Sequence, residues 1–375
     1  MAKRAKGVWM AMVLSAVLVA GCGSNGNGNT GADATANSGE GQGNTQSSAV
    51  ADSATTTNAD STAAGVANEP AAAGKPASGV PANVTLIEGW YAKGEDGGYF
   101  AALQQNYYQE AGINMTITPG GPQISAMTLV ASGKADFGIS YADDILLARQ
   151  QGIPVVGVLA GFQYSPQVLI HHADDKIDGF ADIGDRTVYV TPGTLYWEYI
   201  KHKFNLTNAK PMAYTGQLVN FIKDKKSLNQ GYITNEPYAL GQQGVDVSLL
   251  KIADSGYANY ADVLFTTEDY LAKHPDVVKA VVGASQKGWS YYLENYKTVN
   301  PFIKTYNQEA TLDAMDYEAE HQKEFILTDE AKANGIGTMT VDRWNELQEQ
   351  LMTIGGLKAK QDVTKAFTTE FLAKP

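Results

Sequence analysis

Aromatic, hydroxyl, amide and carboxyl side chains recur in this chain where predicted β-strands end. At or near these strand ends lie Trp90, Tyr91, Ser140, Tyr141, Gln163, Thr191, Tyr232, Asn235 and Glu236. Gly193 belongs to the turn that begins at Thr191, and Tyr196 lies on the helix that follows it. In open α/β sheets a ligand binds beyond the carboxyl ends of the strands. Aromatic rings there can stack on a planar molecule, while the polar groups hydrogen-bond to its edge. We therefore predict a crevice for a small, flat, partly polar ligand.

Each of these residues also has a simpler interpretation. Trp90 can be a buried core residue, and Tyr141 can simply close a turn. The Thr191–Thr194 turn begins a helix, and it becomes an anion or carbonyl site only if a ligand covers its free N–H groups. Glu236 would be an ordinary surface residue if it did not directly follow an apolar strand.

Residues suited to catalysis or metal binding are scarce. The chain has one cysteine and five histidines, and no glycine-rich phosphate loop follows a predicted strand. His171 and His172 are adjacent on a predicted strand, so they point to opposite faces and are poorly placed to share a metal. No histidine, cysteine and carboxylate spacing is typical of zinc or di-iron sites. The sequence therefore predicts a protein that is not an enzyme, with no metal site and no cofactor.

The elements that position these residues alternate between strand and helix. Predicted strands cover 84–89, 114–118, 136–140, 155–162, 167–171, 187–190, 231–234 and 263–266, and predicted helices cover 98–110, 123–132, 143–151, 195–204, 217–225, 275–292, 311–327, 341–354 and 363–372. This order predicts an α/β fold of two lobes, each a mainly parallel sheet flanked by helices. Hinge crossovers are expected near Gln163–His171 and Tyr257–Phe265. The predicted lobes comprise residues 83–170 and 259–375 (lobe one) and residues 171–258 (lobe two).

The N-terminus has the pattern of a bacterial lipoprotein signal over residues 1–21. A basic start precedes an apolar run too short to span a bilayer, and small residues precede Cys22. We predict that Cys22 is lipidated and anchors the protein to the extracytoplasmic face of the cell membrane. The rest of segment 22–82 contains no aromatic residue and no Leu, Ile or Met, which predicts a disordered linker.

Charge excludes other classes of partner. The net charge is −12 for the whole chain, and residues from Asn83 onward contain 24 basic and 35 acidic residues. No basic cluster is present, which argues against nucleic acid and against an electrostatic membrane patch. We expect a monomer that binds a small molecule.

Three motifs resemble those of solute-binding proteins of ABC importers, in the nitrate, sulfonate and thiamine-pyrimidine-precursor family. They are Pro119-Gly-Gly-Pro, Val130-Ala-Ser-Gly-Lys-Ala-Asp-Phe-Gly-Ile and Ala148-Arg-Gln-Gln-Gly-Ile-Pro-Val-Val. Gly231-Tyr-Ile-Thr-Asn-Glu-Pro-Tyr looks most like the pyrimidine-precursor binders. The resemblance runs from about Val84 to near the C-terminus. It implies a type II periplasmic-binding-protein fold that closes around one ligand and delivers it to a permease driven by an ATPase.

Several functional alternatives stay open at this point. Glu236 can pair with the ring nitrogen and exocyclic amine of an aminopyrimidine, whereas riboflavin also fits an aromatic crevice. A sulfonate or nitrate would call for a basic side chain, and no arginine lies at a predicted crevice strand end. A sensor subunit that presents its ligand to a receptor is a further class. The related thiamine-pyrimidine synthases are enzymes, but this chain has neither the cysteines nor the histidine cluster that the resemblance would require.

Overall fold

The computed structural model describes residues 82–374, and these residues form ten strands and twelve α-helices. The strands are β1 Ala82–Ile87, β2 Ile113–Thr118, β3 Phe137–Ser140, β4 Val155–Phe162, β5 Gln167–His172, β6 Thr187–Val190, β7 Lys210–Ala213, β8 Leu228–Tyr232, β9 Val247–Lys251 and β10 Ala261–Thr267. The helices are α1 Gly97–Gln104, α2 Tyr107–Glu110, α3 Ala126–Ala131, α4 Ala142–Gln150, α5 Leu195–Lys203, α6 Val219–Lys223, α7 Glu236–Gly241, α8 Glu268–Lys273, α9 Pro275–Ile303, α10 Leu312–Ile326, α11 Asp329–Asn334 and α12 Val341–Thr353.

The lipoprotein signal, Cys22 and nearly all of the predicted linker lie outside the described residues. Ala82, the last residue of the predicted linker, is instead the first residue of β1, and its backbone N–H donates to the carbonyl of Gly112 at 3.0 Å. No helix within residues 82–374 combines the length and the apolar character that crossing a bilayer requires.

The first sheet has the strand order β2-β1-β3-β10-β4 and forms lobe one. Strands β1, β2 and β3 are parallel to one another, because helices carry the chain back between them. Strand β10 is antiparallel to both of its neighbours, β3 and β4. It enters lobe one from lobe two and therefore runs in the opposite direction.

The second sheet has the order β7-β6-β8-β5-β9 and forms lobe two. Strands β6, β7 and β8 are parallel, whereas β5 is antiparallel to β8 and β9. The predicted two-lobed α/β arrangement is confirmed, but the sheets are mixed and not mainly parallel. The physical reason is the same in both lobes, since a strand that enters from the other lobe pairs in the reverse direction.

Helices α1 and α9 pack closely on one face of the first sheet. A Cβ placed on Gly98 would lie 2.1 Å from Cδ2 of Trp289, so only glycine allows this approach. Trp289 is fully buried, and its ring meets that of Tyr99 edge-on with centroids 5.6 Å apart. This helix pair forms the main hydrophobic core beneath the ends of β1 and β3.

The chain passes between the sheets twice, between Phe162 and Gln167 and between Lys251 and Ala261. Arg343 of α12 lies between the two crossovers. Its guanidinium carbon is 4.2 Å from the ring centroid of Tyr164 and 4.1 Å from that of Tyr260. It also donates hydrogen bonds to the carbonyls of Ala258 and Asn259 at 3.2 and 3.1 Å. Helix α12 therefore holds both crossovers against lobe one.

Three predicted helices were wrong in extent, and the one predicted over 275–292 continues to Ile303 as α9. The helix predicted over 98–110 is interrupted at Asn106, whose φ of 61° is left-handed and ends an α-helical run. The helix predicted over 363–372 contains only a short 3-10 helix, Val363–Lys365. Phe367 stacks on Trp344 with centroids 5.2 Å apart, so tertiary packing overrides the helical pattern there. Strands β7 and β9 and helices α7, α8 and α11 were not predicted as separate elements.

Candidate ligand-binding site

The wall of the crevice on lobe two is organised around Glu236. This residue begins α7 directly after β8 and is only 9% exposed. Its Oε2 accepts a hydrogen bond from the backbone N–H of Tyr232 at 2.7 Å, and its Oε1 accepts one from the Tyr214 hydroxyl at 3.4 Å. Burial raises the pKa of Glu236, although the backbone hydrogen bond opposes that rise. The carboxyl group is thus held rigidly at a strand end.

Gln230 connects the other predicted residues of this wall. Its Nε2 donates to the Thr191 hydroxyl at 2.9 Å, and its Oε1 accepts from the Tyr196 hydroxyl at 3.1 Å. The same Oε1 also accepts from the backbone N–H of Thr191. That N–H group is therefore already used, which weakens the interpretation of this turn as an anion site. Gly193 is exposed and has a φ of 83°, so its role is to permit the turn.

The wall on lobe one presents exposed aromatic rings. Trp90 is 47% exposed and Tyr91 is 49% exposed, and their rings meet edge-on with centroids 5.4 Å apart. The core interpretation of Trp90 is therefore wrong. The Ser140 hydroxyl donates to Oδ2 of Asp144 at 2.8 Å, next to the half-buried Tyr141.

The two walls touch each other in this structure. The hydroxyl of Tyr141 on lobe one pairs with that of Tyr232 on lobe two. Gln167 donates to the Tyr232 hydroxyl at 3.4 Å, and the Lys93 ammonium lies 5.3 Å from the centroid of the same ring. The Thr234 hydroxyl adds a second contact between lobes by donating to Glu95.

Three of the predicted ligand-binding residues have side chains that take no part in the crevice contacts described above. Gln163 is 1% exposed, and its Nε2 donates to the carbonyl of Thr338 at 2.8 Å, which makes it a crossover residue. Asn235 is exposed, and its side chain forms no hydrogen bond with the described residues. Gly193 lies on the turn described above. A ligand contact for every member of the predicted set stays a prediction.

Sequence reasoning missed several polar residues at the crevice. They are Lys93, Glu95, Tyr214, Gln230 and Thr234, whereas Asp144 lies beside Ser140 on the outer side of lobe one. Lys93 forms an ion pair with Glu95, so the crevice edge carries a basic group that is already neutralised. The expectation that no arginine lies at a crevice strand end stays a prediction, because Arg343 belongs to α12 and packs on Tyr164 in the crossover. Among these missed residues, only Lys93 could have been expected at the crevice from the sequence, because it closely follows Trp90.

A cluster of buried carboxyl groups lies beneath the edge of lobe one. Glu88 is fully buried, and neither of its carboxyl oxygens has a hydrogen-bond partner among the described residues. Asp96 and Asp262 each leave Oδ2 similarly unpartnered. Burial raises the pKa of Asp96 to about 7 and raises those of Glu88 and Asp262 well above the usual range. The cluster is therefore expected to hold protons at neutral pH.

The histidines and carboxylates of residues 82–374 do not assemble into a group of three or more suited to a metal ion. The ring of His171 bonds to the carbonyl of His172 at 3.0 Å, and the ring of His172 bonds to the carbonyl of Phe221 at 2.9 Å. Both rings are therefore occupied by backbone groups within lobe two.

Comparison with known families identifies the chain. The model of the family described as NMT1/THI5 like matches residues 95–298, which is more than half of the sequence. The chain belongs to the NMT1/THI5-like family. This confirms the resemblance to the thiamine-pyrimidine-precursor branch.

Individual members of this family are similar over most of the chain. The riboflavin-binding protein RibY of Chloroflexus aurantiacus is 26% identical, over 77% of this chain and 86% of its own length. The formylaminopyrimidine-binding protein of Halalkalibacterium halodurans is 24% identical, over 70% of this chain and 83% of its own length. A 4-amino-5-hydroxymethyl-2-methylpyrimidine phosphate synthase of Schizosaccharomyces pombe is 26% identical, over 54% of this chain and 63% of its own length.

A solved structure places the fold among periplasmic binding proteins. The aliphatic sulphonate-binding protein SsuA of Escherichia coli has a TM-score of 0.58 at 13% identity, covering 77% of this chain and 92% of that chain. The predicted two-lobed fold of this class is thereby confirmed. At this identity the similarity concerns the fold alone.

Substituting Trp90 tests its role as a stacking surface of this NMT1/THI5-like protein. Because the side chain is half exposed, Trp90→Ala should change the free energy of unfolding by less than about 1 kcal/mol. Loss of ring stacking should weaken ligand binding by about five- to tenfold. The fully buried Trp289 is the matched control, since Trp289→Ala should cost about 3–5 kcal/mol of stability. Titration calorimetry and thermal melting on both variants measure this, and an unchanged affinity for Trp90→Ala would remove the ring from the site.

Proposed function

We propose that this chain is the extracytoplasmic, lipid-anchored substrate-binding protein of an ABC importer. We further propose that it captures a small nitrogen heterocycle, of the thiamine-pyrimidine-precursor type, by closure of its two lobes. The observation that carries the proposal is the crevice itself, where Tyr141 and Tyr232 meet across the lobes beside the buried carboxyl of Glu236. The names of the two similar binding proteins support the same ligand class.

The chemistry of the crevice favours a heterocycle over an anion. Glu236 presents a carboxyl group at the strand end, and an adjacent amine and ring nitrogen can bond to it in parallel. The basic side chain at the crevice edge, Lys93, is paired with Glu95. The guanidinium of Arg343 is occupied by two backbone carbonyls and two aromatic rings. A sulfonate or nitrate would therefore meet carboxyl groups at a crevice where these two basic side chains already have partners.

The names of the relatives that match most of the chain agree with a protein that binds its ligand without transforming it. Both proteins that match at least 70% of it are named as binding proteins, whereas the synthase matches 54%. The two histidines that are adjacent in the sequence are bonded to backbone carbonyls in lobe two. We therefore propose a transport role in which the ligand is released unchanged.

Riboflavin is a second candidate ligand. The specific observation that favours it is a groove of about 530 Å³ on lobe one, which shares Gly89, Ser140 and Tyr141 with the crevice edge. A pyrimidine precursor would leave this groove unfilled, whereas a larger heterocycle with a side chain could extend into it.

Small molecules retained by the purified protein provide the direct test. The body, residues 83–375, would be purified under native conditions, denatured, and its released small molecules identified by mass spectrometry. A pyrimidine or flavin recovered in near-stoichiometric amount supports the proposal. Recovery of a sulfonate would contradict the ligand class, and recovery of a chemically altered product after incubation with pure ligand would contradict the transport role.

Lobe closure predicts a measurable compaction. We propose that lobe one, residues 83–170 and 259–375, and lobe two, residues 171–258, rotate as rigid bodies about the crossovers. Small-angle X-ray scattering should show a smaller radius of gyration with saturating ligand than without it. Tyr141→Phe removes one hydroxyl of the pair between lobes, so it should shift the unliganded protein toward the larger radius. An identical radius with and without ligand would indicate a rigid pocket.

Anchoring depends on Cys22, which lies outside the described residues. Cys22→Ser removes the thiol that would carry the lipid, so the mature protein should move from the membrane fraction to the soluble extracytoplasmic fraction. Fractionation and immunoblotting measure this, with Ser24→Ala as the matched control. A processed Cys22→Ser protein that stays in the membrane fraction would contradict lipid anchoring.

A further inference from the structure

A groove on lobe one runs between α3 and α4, away from the crevice. It begins at Gly89, Ser140 and Tyr141, at the ends of β1 and β3, and reaches Gln151 and Ile153 beyond the C-terminus of α4. Its volume is about 530 Å³. Because Tyr141 also touches lobe two through its hydroxyl, a ligand beside this ring can contact the crevice and the groove together.

The lining of the groove has two chemically different parts. Apolar side chains, including Ile139 and Leu147, form one part. The hydroxyls of Ser125 and Ser140 and the exposed carboxyl of Asp144 form the other. Since Ser140 donates to Asp144 at 2.8 Å, this polar part can exchange hydrogen bonds with a hydroxylated chain. None of the residues that line the groove is basic, which disfavours a phosphate or carboxylate there.

We propose that this groove is a second subsite, and that it binds the uncharged polyhydroxyl chain of a ligand whose planar ring lies in the crevice. The inference rests on the proposed function with its second candidate ligand, and it specifies that ligand as a flavin-type molecule without phosphate. The flexible chain lies along the apolar side of the groove and donates its hydroxyls to Asp144. Riboflavin has this combination of ring and chain, whereas lumichrome has the ring alone and flavin mononucleotide adds a phosphate.

The test compares these ligands on variants of the full-length protein. Titration calorimetry would use riboflavin, lumichrome, flavin mononucleotide and formylaminopyrimidine. The parent should bind riboflavin at least tenfold more tightly than either lumichrome or flavin mononucleotide. Asp144→Ala removes a charged acceptor at an exposed position and should weaken riboflavin binding about tenfold without changing the affinity for lumichrome. Asp174→Ala, an exposed acid on lobe two, is the control and should change neither affinity.

A second variant fills the groove without removing a polar group. Leu147→Trp should reduce riboflavin binding and spare lumichrome, provided that its melting temperature shows a folded protein. Equal losses for riboflavin and lumichrome in both variants, or no loss in Asp144→Ala, would overturn the subsite. A parent that binds formylaminopyrimidine but neither flavin would overturn the subsite and leave the proposed function intact. A parent that binds none of the four molecules would overturn both.

Discussion

Raising the pH from about 4.5 to about 8 should lower the free energy of unfolding of the folded protein by at least about 3 kcal/mol. Burial raises the pKa of Asp96 from 3.8 to about 7, and each unit of difference between the folded and unfolded states corresponds to about 1.4 kcal/mol. Such a carboxyl group makes its full contribution to stability below the pKa that it has in the unfolded chain. That contribution is lost as the pH rises through the pKa that it has in the folded protein. Because Glu88 and Asp262 lie in the same cluster and shift in the same direction, the loss should extend over this whole range.

The opposite trend should appear in more acid solution. Arg186 and Lys226 hold the pKa of Asp175 below its usual range, with hydrogen bonds from Arg186 at 2.8 and 3.0 Å. That contribution is present above the unfolded pKa of about 4 and is lost as the pH falls. Stability should therefore pass through a maximum in mildly acid solution, between these two regimes.

Urea unfolding at a series of pH values measures this profile, and neutral variants assign it. Asp262→Asn and Glu88→Gln remove ionisable groups from the cluster, so each should flatten the decline between pH 4.5 and 8. The exposed Asp174 is the matched control, and Asp174→Asn should leave the profile unchanged. A parent protein that is as stable at pH 8 as at pH 5 would contradict the prediction that these carboxyl groups are protonated at neutral pH.

Glu236→Gln should lower the affinity for an aminopyrimidine by about one to two decades. The glutamine keeps the shape and can still accept from the N–H of Tyr232. An amide NH2 then replaces the second carboxyl oxygen, and the negative charge is lost. A hydrogen bond to a charged group contributes roughly 1.5–3 kcal/mol, which gives this range. An anionic ligand should behave in the opposite way, since removing a nearby negative charge leaves its affinity equal or improved.

Titration calorimetry with formylaminopyrimidine, riboflavin and taurine distinguishes the ligand classes. The control is Tyr214→Phe, which removes the hydroxyl that donates to Glu236 at 3.4 Å and should have a smaller effect, because that hydrogen bond is long. If taurine binds tightly, and Glu236→Gln leaves that affinity unchanged or increases it, a heterocycle is excluded as the ligand.

Local patterns in the sequence determined most elements of the fold. Strands β4 and β6 have the predicted bounds, because a short run of β-branched residues bounded by turn signals leaves little choice of structure. The two-lobed arrangement followed from the order of these elements. Strands β7 and β9 were missed because their residues are mostly exposed or half-buried, so they have little apolar periodicity. Their pairing comes from neighbouring strands and not from their own sequence.

The sequence by itself located the strand ends that carry Tyr141, Tyr232 and Glu236, since a residue directly after a buried strand lies at the sheet edge wherever the sheet is placed. Only the tertiary structure decided which of these residues meet. Contacts between Tyr141 and Tyr232, or among Glu88, Asp96 and Asp262, join residues far apart in the chain. Asp262 reaches Glu88 and Asp96 because the chain returns through β10 to lobe one after building lobe two. The order of the elements predicts this return, but no local pattern records which side chains it brings together. The buried carboxyl cluster and the groove beside Tyr141 could therefore be found only in the folded molecule.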